Sequence, residues 1–262
     1  LITPTLGYSY SLDRIGRGPN NFQHDFNPFK GRLDIHEVEA GLTMILAPTA
    51  VLVVGATAQF ERGDQSQPYR YIAMFDPVTV APFVPNGATV NLVNNTRLQI
   101  RPLEQLPTER DRYAVGVRFN KRLNSSSTLR IDERLYVDTW GLKATSTDAR
   151  YMFDLSRHLR VWPHARFHYQ TGTDFFRLAY SAVLEPNGNI SVPLYRTGDR
   201  ELAPLLTGTG GGGLRIALGD PEGEVKYGLT LVGDVMYTRY LKALYVGSRT
   251  AIYGTVGFDV EF

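Results

Sequence analysis

Hydrophobic and polar side chains alternate with a period of two along most of this chain, and no segment sustains a period of 3.6. Such alternation puts one set of side chains on each face of an extended strand, so the pattern predicts ten strands. Residues 5–13 set Leu6, Tyr8, Tyr10 and Leu12 against Thr5, Gly7, Ser9 and Ser11. Residues 34–46 set Val38, Ala40, Leu42 and Met44 against Glu37, Glu39, Gly41 and Thr43. Residues 51–62 set Leu52, Val54, Ala56, Ala58 and Phe60 against Gly55, Thr57, Gln59 and Glu61. In residues 112–121, Tyr113, Val115, Val117 and Phe119 face away from Ala114, Gly116, Arg118 and Asn120. Further on, Leu129, Ile131, Leu135 and Val137 oppose Arg130, Asp132, Arg134 and Asp138, and Thr147, Ala149, Tyr151 and Phe153 oppose Asp148, Arg150 and Asp154. Val161, Ala165, Phe167 and Tyr169 oppose His164, Arg166, His168 and Gln170. A glycine-rich strand over residues 206–218 precedes Val225, Tyr227, Leu229, Leu231, Val235 and Tyr237, whose other face holds Lys226, Gly228, Thr230 and Asp234. In the last strand, residues 252–262, Val256, Phe258, Val260 and Phe262 face away from Thr255, Asp259 and Glu261.

The connections alternate in length. Long ones fall at residues 14–32, 63–111, 171–201 and 239–249, and short ones at 47–49, 123–127, 155–158 and 219–223. The short Trp140-Gly141 connection falls on the long-loop side. This asymmetry is that of an all-β, antiparallel, up-and-down transmembrane β-barrel, with long loops outside and tight periplasmic turns. A large soluble β-sandwich or a lipocalin-like barrel would bury its apolar face inward and would not need aromatics at the strand ends. Here Tyr8, Tyr10, Phe60, Tyr113, Phe167, Tyr169 and Tyr237 fall near the outer end. Phe119, Tyr151, Phe153, Tyr227, Phe258 and Phe262 fall near the inner end, giving the two girdles of a lipid-facing surface. Residues 40–60 carry no charge, but Pro48 interrupts them and both arms alternate, which reads as a hairpin and not as a membrane helix. The expected organisation is a single outer-membrane β-barrel domain over residues 1–262, with ten strands in this chain.

Composition narrows the classes. A net charge of +2 without a lysine/arginine block gives no footprint for nucleic acid. The absence of cysteine removes disulfides, thiolate zinc sites and cysteine nucleophiles, and suits the envelope of a Gram-negative cell. A mean hydropathy of −0.20 excludes a bundle of transmembrane helices. Leu1-Ile2-Thr3-Pro4-Thr5 has neither a basic n-region nor a cleavage-site pattern, as expected after signal-peptide removal or where residues upstream are missing.

Gly257-Phe258-Asp259-Val260-Glu261-Phe262 resembles the terminal assembly signal of bacterial outer-membrane barrels, carried by Phe258, Val260 and Phe262. That resemblance implies insertion by the barrel-assembly machinery. Arg110-Asp111-Arg112-Tyr113-Ala114-Val115, residues 129–141 (LRIDERLYVDTWG) and Tyr169-Gln170-Thr171-Gly172-Thr173-Asp174-Phe175-Phe176 are similar to an uncharacterised outer-membrane barrel family, domain of unknown function 3570. Residues 120–127 and 195–204 (YRTGDRELAP) share the likeness, which covers most of the chain. The resemblance implies a fold and a location but no activity. It also implies more chain upstream, so residues 5–13 are expected inside a larger barrel; pairing with residues 252–262 to close a ten-stranded barrel is the other arrangement. One position departs from the pattern: Glu133 stands on the apolar face, which a bulge, a register slip or a subunit contact would explain.

The inward rows hold the candidate chemistry. Glu37, Glu39 and Glu61 form an acidic wall, and Arg112, Arg118, Arg130, Arg134, Arg150, Arg160 and Arg166 a basic one. Facing each other they would set up a transverse field across a lumen. With Asp132, Asp138 and Asp148 among them, the arginines would instead staple the lumen shut. Of the histidines His24, His36, His158, His164 and His168, only His164 and His168 share a face, too far apart along one strand to chelate a metal without other partners. They read as lumen hydrogen-bonding groups. No metal or other cofactor is implied. Gly210-Gly211-Gly212-Gly213 lacks the Lys-Ser/Thr of a phosphate loop and reads as a close approach by a plug, a helix or a neighbouring barrel. Residues 65–107 are long enough to fold into the lumen or to meet a partner outside. The expected function is a passive, porin-like pore or an envelope-complex scaffold without catalysis, with lipid and envelope subunits as partners. The rival is a rim-sited outer-membrane hydrolase built on His168 and Asp174, for which no GxSxG motif speaks.

Overall fold

The computed structural model describes residues 1–17, 29–218 and 226–261. In chain order the strands are β1 (Ile2–Arg17), β2 (Phe29–Ala47), β3 (Ala50–Gly63), β4 (Met74–Phe75), β5 (Glu109–Arg122), β6 (Ser127–Asp138) and β7 (Lys143–Asp154). They continue with β8 (Leu159–Gln170), β9 (Tyr180–Ser181), β10 (Val183–Leu184), β11 (Ile190–Ser191), β12 (Leu205–Leu218), β13 (Lys226–Tyr240) and β14 (Ser248–Glu261). The ten long strands form one antiparallel sheet in sequential order, β1-β2-β3-β5-β6-β7-β8-β12-β13-β14. All ten predicted strands are therefore present, each starting or ending a few residues beyond its alternating stretch. The hairpin predicted around Pro48 joins β2 to β3, with a bulge between Ile45 and Ala47. The predicted turn at residues 219–223 and most of the predicted 14–32 connection lie outside the described residues. Among the described residues no ladder joins β1 to β14, and both stand as edges of the sheet.

Register gives the two faces opposite chemistries. Ile2, Met44, Leu52, Phe119, Ile131, Ala149, Ala165, Gly210, Val235 and Ile252 form one unbroken row across ten strands, with no polar side chain in it. One residue along, on the other face, runs Thr3, Thr43, Val53, Arg118, Asp132, Asp148, Arg166, Thr209, Met236 and Ala251. The first face carries all the described girdle aromatics. Phe60 meets Tyr113 edge-on at 6.3 Å, Tyr151 lies 5.7 Å from Phe153, and Tyr227 stacks on Phe258 at 6.2 Å. His36 belongs to this face too, between Tyr8 and Tyr10.

The apolar core lies at one rim, where the loops fold over the inner face. Residues 64–108 and 171–204 come together through parallel pairing of β4 with β9 and through the Gln105–Arg196 bridge, while the Tyr71–Leu103 bridge closes the first segment on itself. Met74 and Phe75 of β4 point to opposite sides. Met74 packs with Ile72, Tyr180 and Ala182, and Phe75 with Ala73, Ala88 and Val93. The residues 241–247 turn is tied in where Asn86 donates to the Tyr240 carbonyl and accepts from the Ala243 N–H. The cap is seated on the sheet by inner-face residues: Gln170 donates to the carbonyls of Glu201 and Ala203, and Leu205 and Tyr240 are buried beneath it. The short Trp140-Gly141 turn now has a reason, because buried Trp140 packs with Leu106, Leu142 and Leu202 as part of the cap's floor.

The cap also holds a helix that the sequence pattern did not announce. Helix α1 (Val90–Thr96) is capped by the Thr89 hydroxyl, which accepts from the Leu92 N–H. It has two turns and one buried residue, Val93, so no helical period could accumulate in the sequence.

Candidate functional site on the inner face

Where the cap meets the sheet, charges are buried in pairs. Arg110 of β5 forms an ion pair with Asp138 of β6, and its guanidinium lies 4.2 Å from the centre of the Trp140 ring. Tyr136 donates to the same carboxylate, while Arg112 pairs with buried Glu61 at 3.1 Å. Inside the cap, the fully buried Glu104 carboxylate accepts from Arg70 at 3.0 Å and from the Thr197 hydroxyl at 2.6 Å, and Arg70 also reaches Asp199. Burial alone would lower the Arg70 pKa, but Glu104 and Asp199 outweigh it and raise the value. Burial likewise pushes the Tyr180 phenol up; its hydroxyl donates to the Phe175 carbonyl and accepts the Thr197 N–H.

Below this junction the inner wall divides into satisfied and free groups. Asp132 holds Arg118 and Arg130 together. His164 sits between Asp234, 2.6 Å from Nε2, and Asp148, 3.5 Å from Nδ1. His168 Nδ1 meets the Ser146 hydroxyl at 2.7 Å, and its Nε2 faces the Gln170 amide oxygen at 3.4 Å. Arg134, Arg150 and Arg166 make no hydrogen bond or ion pair with any described residue, although Asp148 stands directly opposite Arg166. The Arg150 Nε–H is buried without an acceptor. Glu37 and Glu39 on β2 are equally free of partners among the described residues. Neither expectation for the wall therefore holds throughout: pairs staple part of it, and three arginines and two glutamates remain available. The free arginines line one open cavity of about 480 Å³, together with Arg118, Arg130 and Asp132.

Three expectations need correction. His168 and Asp174 are not paired; the Asp174 backbone N–H donates to the Trp140 carbonyl, in the cap floor. The inner face of the glycine run has no room for a plug or a helix; a neighbouring barrel would meet the outer face, where Gly210 has nothing within 4 Å of its missing Cβ. Side chains of the flanking strands fill the inner side: a Cβ on Gly211 would strike the Asp234 carboxylate that holds His164, and one on Gly213 would strike the Trp162 indole. The Glu133 position is neither a bulge nor a register slip, since β5–β6 and β6–β7 pair without interruption. Its carboxylate stays on the apolar face and accepts from the Thr145 and Thr147 hydroxyls at 2.6 and 2.5 Å. His24 and Phe262 lie outside the described residues. The other named inner-face residues (Glu37, Glu39, Glu61, Arg112, Arg118, Arg130, Asp132, Arg134, Asp148, Arg150, His164, Arg166 and His168) share the inner face. Sequence reasoning missed Arg110, Glu104 and Arg70. Arg110 continues the inward alternation of β5 and could have been found, whereas the two loop residues carry no periodic signal.

A ten-stranded antiparallel meander, charged on one face and apolar on the other, has the strand order of the up-and-down barrel class, with its edges β1 and β14 unjoined among the described residues. The chain belongs to the family described as protein of unknown function (DUF3570), whose model matches residues 8–218. No curated protein matches it. Among solved structures it is similar to the siderophore receptor PiuA from Acinetobacter baumannii, with 10% identity and a TM-score of 0.32, covering 99% of this chain and 42% of that one. The chain thus spans less than half of that receptor.

Proposed function

We propose that this chain forms part of an integral outer-membrane β-barrel that acts as a passive pore, with no catalysis of its own. The observation that carries the reading is the ten-strand outer row without a polar side chain, backed by an opposite face rich in charge. An exposed apolar surface running the width of the sheet is far larger than a water-soluble monomer tolerates. Hydrocarbon accepts it, provided every backbone group is paired. The open edges of β1 and β14 then call for further strands between them, from more chain or from another subunit. In this reading the alternating Phe258, Val260 and Phe262 are the contact offered to the barrel-assembly machinery. Planar-bilayer recording tests the function: the purified protein should give stepwise, non-rectified current, and a silent bilayer despite confirmed insertion would end the pore reading.

One observation favours a scaffold as the second reading. The cap covers inner-face residues Gln170, Leu205 and Tyr240 at the loop rim, and a cap that seals the mouth leaves envelope assembly as the remaining role. Silence in the bilayer that gives way to current after removal of residues 64–108 would identify that case. For the rival hydrolase, the Ser146–His168 contact is the one nucleophile–base pair on this wall among the described residues, but an amide, not a carboxylate, stands behind the histidine. A Ser146→Ala variant that abolished ester turnover by the purified protein would overturn the non-catalytic reading.

A further inference from the structure

We infer that the cavity beneath the cap is a binding site for a small solute carrying two or more adjacent oxyanion charges, such as a polycarboxylate or a phosphate ester. The site is built on β6, β7 and β8. Arg134, Arg150 and Arg166 alternate inward on these neighbouring strands, so their guanidiniums reach one space from three backbones. Five arginines line the cavity against two inward carboxylates, Asp132 and Asp148. Asp132 is taken up by Arg118 and Arg130, while Asp148 lies 3.5 Å from His164 Nδ1 without a hydrogen bond and keeps its Oδ1 buried and unpartnered. Five arginines against two inward carboxylates leave a net excess of three positive charges around the cavity among the described residues. Neutralisation from the acidic wall is out of reach, because Glu37 and Glu39 stand on β2, three strands from β6 and roughly 14 Å away at the usual strand spacing. A lone chloride would satisfy one guanidinium. A solute with clustered oxyanions can accept paired N–H bonds from several at once, which is where arginine gains over lysine. The buried Arg150 Nε–H, without an acceptor on the protein, is a donor that such a solute would complete. The neutral partners nearby fit the same chemistry: Ser146 also lines the cavity, and its hydroxyl is held by His168.

The inference deepens the pore reading by naming the solute class, and it rests on that reading only for how the solute arrives. Binding itself requires no conduction. Titration calorimetry on the full chain in detergent, with inorganic pyrophosphate and with citrate as probes, therefore tests it separately from the bilayer experiment. Saturable binding of either probe to the wild-type protein is expected, weakening as ionic strength rises and not reproduced by chloride at equal concentration. Arg166→Gln should lower the affinity about tenfold and the Arg134→Gln/Arg150→Gln/Arg166→Gln variant about a hundredfold or more. Arg157→Gln, in the turn at the far end, should change nothing. If the triple variant fails to refold, the single Arg166→Gln variant decides alone. Equal affinity in Arg166→Gln and wild type, or no saturable binding of either probe to wild type, overturns the inference. Preference of pyrophosphate over citrate, or the reverse, assigns the source of the oxyanions. A protein that binds the probes but passes no current would lose the pore reading and keep the site.

Discussion

Gly211 and Gly213 show how single positions on β12 serve the inner wall. Each leaves out a Cβ where a neighbouring strand projects a large or charged group, Asp234 in one case and Trp162 in the other. Gly210, one residue away on the outer face, has open space around its missing Cβ. Gly213→Ala is therefore expected to destabilise the protein by about 1–3 kcal/mol through overpacking. Gly210→Ala should be neutral or stabilising by up to about 1 kcal/mol, since it removes only unfolded-state freedom. Denaturant titration of the folded protein in detergent, with both variants side by side, checks the contrast; equal losses would refute it. Trp140 makes a second residue-scale case. Its indole N–H donates to the Glu109 carbonyl at 2.8 Å and its ring lies under Arg110, so Trp140→Ala leaves both an orphaned carbonyl and a cavity. A loss of about 3–5 kcal/mol is expected, read as lowered thermal resistance of the cap.

At the scale of elements, the long strands were legible because each alternates over enough residues to show both faces. Leu129 through Asp138 needed only the register of its neighbours to become β6. The cap was not legible, and the reason is length. β4 and β9 have two residues each and pair across about a hundred residues of sequence, so neither shows a period of its own. The inner-face residues could be named from alternation, yet which arginines are paired depends on where Asp148 turns. That choice between His164 and Arg166 is made by side-chain geometry and leaves no trace in spacing. Within the cap, the 3-10 turn at Ala81–Phe83 follows a loop held by Asp76. The Asp76 carboxylate accepts from the Thr79 backbone N–H, the Thr79 hydroxyl and the Val78 N–H, and these bonds hold its pKa below the ordinary aspartate value. A depressed folded-state value means that this contribution is complete at neutral pH and is lost as pH falls through the acidic range. Limited proteolysis at residues 77–83 should accordingly be slow at pH 7 and faster near pH 3 with an acid protease. Asp76→Ala should be cleaved quickly at both, and pH-independent cleavage of the wild type would count against the argument.

For the whole molecule, closure is the property that decides the lumen. In the proposed outer-membrane setting, the sheet's two edges cannot face hydrocarbon unpaired. If further strands lie between them, cysteines placed at Leu6 and Val256 in this cysteine-free chain should form no intramolecular disulfide under oxidising conditions; efficient cross-linking within one chain would mean a ten-stranded barrel. The cap bears on the same property in time. Its β4–β9 contact joins the loop between β3 and β5 to the loop between β8 and β12, and both hairpins must already stand in register before Met74 can lie beside Tyr180. Contacts so distant in sequence form late, because the chain entropy of closing them is lost before any packing is gained. The barrel wall is thus expected to insert with its mouth open and to shut only after four strands have found their neighbours. A misthreaded wall would leave Phe75 and Tyr180 with nothing to pack on, exposing a greasy, protease-sensitive lid at the surface. The lid is then a readout of strand order, and a copy with misordered strands is expected to be cut faster within residues 64–108 and 171–204 by limited proteolysis than a correctly threaded one.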